Sequence, residues 1–142
     1  MPNLPCTIRF GANGDYRSYT LDGWSGDPND TTHTWTTDHV AKLRLALEYA
    51  KNDRFLEIDV IPVKAPGIIQ ELFLFLNGGF ASYWSVKNAG ILSARLESSL
   101  FVNGENLFAF VAPKAVCPKE LGFGSDQRIL GFAFCSLNLR NI

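Results

Sequence analysis

Apolar and polar positions alternate with a period of two along most of this chain, which predicts strands. Ala41, Leu43, Leu45 and Leu47 fall on one side of an extended segment, with Lys42 and Arg44 on the other. Leu56, Ile58 and Val60 alternate in the same way with Glu57 and Asp59. Cys6, Ile8 and Phe10 predict a first strand over residues 4–10, and residues 91–96 predict a weaker one. Two segments are apolar at nearly every position: residues 70–76 (Leu72, Phe73, Leu74, Phe75, Leu76) and residues 129–139. Both predict strands covered on two faces. In the second, Leu130, Phe132 and Phe134 are expected on one face, and Ile129, Ala133, Cys135, Leu137 and Leu139 on the other.

Turn formers punctuate this pattern. Asn-Gly occurs at Asn13-Gly14, Asn77-Gly78 and Asn103-Gly104, and both residue types tolerate the positive φ of tight hairpins. Residues 16–21 and 80–86 are expected to be returning strands after the first two of these turns. Residues 107–111 form a further strand, stopped by Pro113. Residues 97–102 fit either a strand or one helical turn. Residues 118–122 fit a single helical turn, with Pro118 early and Gly122 at its end. Residues 22–37 are rich in turn formers and carry two tryptophans eleven positions apart, which predicts a long surface loop. About nine strands with no long helical period predict an all-β fold. The expected architecture is an antiparallel β-sandwich, jelly-roll-like, spanning residues 1–142 as one domain. A closed barrel is the topological alternative.

Composition narrows the class. The chain has 142 residues, 46% hydrophobic and 19% charged, which excludes disordered and collagen-like chains. Eleven Phe, four Tyr and three Trp favour strands. The net charge of −1 offers no basic field for a phosphate backbone, so nucleic acid is not an expected partner. No apolar run reaches the ~20 residues of a membrane span, so no membrane insertion is expected. The N-terminal residues show no secretory pattern. Cys6, Cys117 and Cys135 are odd in number and lack metal-type spacing. Free thiols in a reducing compartment, on the cytoplasmic side, are the simpler reading.

Candidate chemistry is sparse. His33 and His39 are the only histidines, six positions apart around a turn. A zinc site usually needs three protein ligands, and solvated loop histidines outweigh that reading. No metal or cofactor is expected. Calcium among Asp22, Asp27 and Asp30 is a minor alternative. Ser25 in Gly23-Trp24-Ser25-Gly26 does not match a nucleophile elbow. Trp24 and Trp35 suit stacking on sugar rings, with nearby Asp, Asn and Arg groups to bond hydroxyls. Trp24 is the better exposed candidate, whereas Trp35, set between threonines, suits packing at a strand start. Asp126 and Arg128, two residues apart in extended chain, present opposite charges on one side where the chain enters the core. Such a pair either pins the loop or faces a ligand.

These motifs carry a resemblance. Gly23-Trp24-Ser25 followed by Thr34-Trp35-Thr36, the Asn77-Gly78 hairpin, Pro118-x-Glu120-Leu121-Gly122 and Asp126-x-Arg128-x-Leu130-Gly131 occur in that order. Together they resemble an uncharacterised bacterial β-sandwich domain found beside glycosyltransferase and phosphoglycerol-transferase-like modules. The similarity spans residues 16–139. Where that pattern has Pro-Glu after Gly-Trp-Ser, this chain has Asp27-Pro28-Asn29-Asp30, which passes any ligand role of the glutamate to Asp30. The resemblance implies a non-catalytic, carbohydrate-binding-type accessory domain in surface-glycan synthesis or modification. Trp24, Trp35, Asp30, His33, Asp126 and Arg128 are then the expected ligand-binding residues. Expected partners are a glycan or sugar ligand, and a glycosyltransferase module or a second copy of the chain. A structural or assembly module and a small sugar-acting enzyme using His33 or His39 are the alternatives.

Overall fold

The computed structural model describes residues 3–142. Among the described residues nine strands are formed: β1 (Cys6–Arg9), β2 (Thr34–Trp35), β3 (Val40–Leu47), β4 (Arg54–Pro62), β5 (Gln70–Leu76), β6 (Gly79–Val86), β7 (Gly90–Leu96), β8 (Gly104–Val111) and β9 (Phe132–Asn141). One helical turn, α1 (Pro118–Leu121), and two 3-10 turns, Tyr16–Ser18 and Ser98–Leu100, complete the elements. The strands make two antiparallel sheets. One runs β1–β9–β4–β7, with β2 also on β9, and the other runs β3–β8–β5–β6. The architecture is the expected antiparallel sandwich, not a closed barrel.

Alternation explains the core. Leu43, Leu45 and Leu47 of β3, Leu56, Ile58 and Val60 of β4, and Leu72 and Leu74 of β5 are fully buried between the sheets. Their polar neighbours in sequence point outward. The Asn77-Gly78 turn is the expected hairpin: Asn77 and Gly78 both have positive φ (52° and 83°) and link β5 to β6. Gly122 ends α1 in the left-handed region at φ 77°, as its position after a Pro-initiated turn predicts.

Three local expectations are corrected. First, Asn13-Gly14 makes no hairpin, and residues 16–21 are not a returning strand. β1 instead pairs with β9, Cys6 opposite Leu139. The Asp15 carboxylate accepts the Arg9 N–H at 2.8 Å, and the Gly14 N–H bonds the Gly11 carbonyl, so the chain curls back at once. Tyr16 then enters the core on a 3-10 turn, its ring stacked 5.7 Å from Phe10. Burial of one large ring outweighs a weak strand pattern.

Second, β5 is covered on one face only. Leu72, Leu74 and Leu76 are buried, while Phe73 and Phe75 are half-buried on the outer face. There they pair with Tyr83 and Phe80 of β6 at ring-centroid distances of 4.8 and 6.0 Å.

Third, the faces of β9 change phase. Asp59 of β4 lies opposite Ser136, but Val60 lies opposite Phe134, so Cys135 is an extra residue. This bulge turns Phe132, Phe134, Leu137 and Leu139 all inward, and each is fully buried. A strict period of two had placed the first pair and the second pair on opposite faces.

Candidate functional site

The segment expected as a long surface loop is bound to the sheet at its C-terminal part. Thr34 and Trp35 pair with Phe134 and Ala133 of β9. Trp24 bridges Thr36, and the Ser25 N–H bonds the Trp35 carbonyl at 2.9 Å. Residues 23–25 therefore form a short ladder with residues 35–37. Gly23 permits this: its φ is 94°, and an added Cβ would collide with the Val40 carbonyl oxygen.

Alternation along this short strand sorts the side chains. Thr34 and Thr36 point inward, and their hydroxyls accept the Gly11 N–H at 2.9 Å and the Phe132 N–H at 3.1 Å. Trp35 points outward and is half-buried, its ring edge-on to His33 at 6.0 Å. Trp24 is the correction here. It is a half-buried plug packed on the core, not an exposed platform. Its ring sits edge-on to Phe134 at 4.9 Å and tilted against Phe10 at 5.2 Å, and its indole N–H donates to the Lys42 carbonyl at 2.8 Å.

The other expected site residues converge. Arg128 Nη2 lies 2.8 Å from Asp126 Oδ2, and Arg128 Nε contacts both carboxylate oxygens at 3.1 and 3.2 Å. The Arg128 backbone N–H also bonds Asp126 Oδ1 at 2.9 Å. Arg128 Nη1 donates to Ser25 Oγ at 3.1 Å and stands 3.6 Å from Asp30 Oδ2, an ion pair too long for a hydrogen bond. Asp30 Oδ1 in turn lies 3.6 Å from His33 Nε2. The Arg128 guanidinium, hydrogen-bonded to the carboxylate, holds Asp126 below the usual carboxylate range, and the same hydrogen bonds raise Arg128.

Five of the six expected residues thus share one patch: Asp30, His33, Trp35, Asp126 and Arg128. Trp24 is not part of it: its ring packs inward on Phe10 and Phe134. Ser25 belongs to the patch as well. Its role had no sequence signal, because its partner Arg128 lies 103 residues away. The patch presents a half-exposed indole beside fixed charges of both signs. That combination suits a ligand with apolar C–H faces and hydroxyl edges.

No protein-family model and no curated protein sequence matches the chain. Solved structures do. The chain is similar to the CBM36-1 domain of a multidomain xylanase from the hindgut metagenome of Trinervitermes trinervoides, with a TM-score of 0.60 and 8% identity over 96% of this chain and 97% of that one. The fold is similar to that of carbohydrate-binding modules. The C-terminal CBM6 of LamC, a laminarinase of Zobellia galactanivorans, aligns with a TM-score of 0.54 and 10% identity over 96% and 98% of the two chains. A module from Cellvibrio mixtus lichenase 5A, in complex with cellotriose, aligns with a TM-score of 0.51 and 9% identity over 99% of each chain. At these identities the likeness establishes the β-sandwich fold.

Proposed function

We propose that this chain is a non-catalytic carbohydrate-binding domain whose ligand rests on Trp35. The observation that carries this reading is the convergence of Trp35, His33, Asp30, Arg128 and Asp126 at one end of the sandwich, about a half-buried ring. The Trp35 face takes the C–H face of a sugar ring. Asp30 accepts from hydroxyls and His33 bonds an adjacent one. The Asp126–Arg128 pair locks the loop that presents them. Trp24 packs in the core and does not touch the ligand. Structural neighbours bound to xylotriose, cellotriose and cellobiose support oligosaccharides as the ligand class.

The motif resemblance assigns this binding to bacterial surface-glycan synthesis or modification, beside a glycosyltransferase module. Three unpaired thiols, Cys6, Cys117 and Cys135, suit a reducing, cytoplasmic-side location. Residues 1–142 act as a single binding domain in this reading. Titration of the chain with neutral and acidic oligosaccharides, followed by heteronuclear NMR, tests it. Saturable binding that Trp35→Ala weakens by about tenfold supports the site. A folded wild type that responds to no glycan overturns it.

A second reading has its own observation. The outer face of β5 and β6 exposes Phe80 (58%) and Tyr83 (42%) beside Phe73 and Phe75. Such a face suits self-association or docking of a partner module. A concentration-dependent mass in light scattering, abolished by Phe80→Ser, favours this reading; a monomer at all concentrations removes self-association.

A further inference from the structure

At the opposite end of the sandwich, Arg54 opens β4 next to Asn141 near the end of β9. It is only 3% exposed. Its Nη2 donates to the Glu48 carbonyl at 2.8 Å, and its Nε reaches Asn141 Oδ1 at 3.4 Å. Its guanidinium carbon lies 4.6 Å from the centre of the Phe101 ring. Among the described residues no carboxylate pairs with it, and Nη1 is buried without a hydrogen-bond partner. Arginine stays charged inside proteins, and a buried charge without a counter-ion costs several kcal/mol by order of magnitude. The Glu48 carbonyl, Asn141 and the Phe101 ring offset part of that cost, but none of them is a counter-ion, which leaves the charge available to an anion.

Arg54 is one wall of a cavity at this end of the sandwich. It measures about 470 Å³ and is lined by Arg54, Asn3, Tyr49, Lys51, Asn52 and Asn141. That volume lies within the usual range of small-molecule sites, ~300–1,000 Å³. Lys51 adds a second positive charge at the rim. Glu48 also lines the cavity, but among the described residues its carboxylate makes no ion pair with Arg54. The neighbouring Asn and Tyr side chains supply neutral donors and acceptors. Burial pulls the Arg54 guanidinium down from its ordinary value, the direction expected for a cation that lacks its counter-charge.

We infer that this cavity is an anion site in which Arg54, helped by Lys51, receives a carboxylate, sulfate or phosphate group. Nη1, which has no hydrogen-bond partner among the described residues, is the donor left free for it. A planar guanidinium fork matches such oxyanions in geometry as well as charge. The Asn side chains bond the rest of the ligand, so either a free oxyanion or the acid group of a uronic or esterified sugar fits. The site is separate from the Trp35 patch: Arg54 and Pro62 stand at the two ends of β4, eight residue steps or roughly 26 Å of strand apart. The inference does not depend on glycan binding at Trp35.

The test is a titration of the whole chain with inorganic phosphate, sulfate and glucuronate, with glucose and matched sodium chloride as controls. Amide and side-chain shifts of residues 48–54 and 141 are followed by NMR, alongside melting temperature. The expected result is a saturable shift confined to those residues for the three oxyanions and not for the controls. Lys51→Ala, a surface change, is expected to weaken binding by about two- to fivefold. Arg54→Gln is expected to abolish it, and if that variant does not fold, Lys51→Ala and Asn52→Ala carry the test. Tighter binding of glucuronate than of phosphate and sulfate identifies an acidic sugar as the source. Equal binding of all three identifies a free oxyanion. Shifts equally produced by glucose or chloride, shifts located elsewhere, or unchanged affinity in both surface variants overturn the inference.

Discussion

Arg128 Nη1 donates to Ser25 Oγ at 3.1 Å, joining two loops that lie 103 residues apart in sequence. The same guanidinium is held by Asp126 and faces Asp30. One side chain therefore fixes both walls of the Trp35 patch, and its planar fork is what allows three partners at once.

Removing that fork loosens both loops. Arg128→Ala is expected to cost about 1–2 kcal/mol, at the low end for charge-assisted bonds because the pair is about one-third exposed. Arg128→Lys keeps the charge and recovers little of the loss, since a point charge cannot satisfy Asp126 in two directions. Urea denaturation of the three proteins measures both statements.

Acid weakens the same tie. Asp126 has a folded-state value held below its ordinary one, chiefly by the hydrogen bonds from Arg128. Its contribution is therefore fully present above the unfolded carboxylate value of roughly 3.9 and is lost as pH falls through the lower folded value. Stability of the wild type is expected to drop more than that of Asp126→Asn below about pH 4. Parallel acid profiles of the two would contradict this.

The two loop tryptophans separate by role. Trp24 packs on Phe10 and Phe134 and donates its N–H to Lys42, so Trp24→Ala is expected to cost about 3 kcal/mol. Trp35 is outward and half-buried, so Trp35→Ala is expected to cost about 1 kcal/mol while losing glycan affinity. Thermal melts paired with the glycan titration distinguish the two.

Asn106 is a polar group at the bottom of β8. It is fully buried, yet its amide is saturated. Its oxygen accepts from the Val102 N–H at 2.8 Å and from Asn77 Nδ2 at 2.9 Å, and its nitrogen donates to the Val102 and Gly104 carbonyls at 3.0 Å. Asn106→Leu strands an N–H, an amide and two carbonyls, and is expected to destabilise by about 2–4 kcal/mol. Unfolding at an unchanged denaturant midpoint would refute the network's role.

Local rules were sufficient wherever the deciding contact lies within a few residues. The β5–β6 hairpin follows from the positive φ that Asn77 and Gly78 accept, and α1 from Pro118 and Gly122. The Asp126–Arg128 pair follows from its spacing of two. Asn13-Gly14 has the same turn chemistry, but there the Asp15 carboxylate and the buried Tyr16 ring redirect the chain.

From the sequence alone, then, come most strand positions (not the expected strand over 16–21, nor β2 in the expected loop), the inward faces of β3 and β4, the sandwich class and the residues worth testing. These depend on a period of two and on turn stereochemistry, which act over short stretches of chain. Tertiary structure decided the phase of β9, because the bulge at Cys135 exists only against the register of β4. It decided that Trp24 is a plug and Trp35 is presented outward, because that choice depends on which side of β9 the loop pairs with. It also brought Ser25, Asp30 and His33 to Arg128 and left Arg54 buried beside an open cavity. Those relationships link segments far apart in sequence, and only the closing of the two sheets brings them within reach.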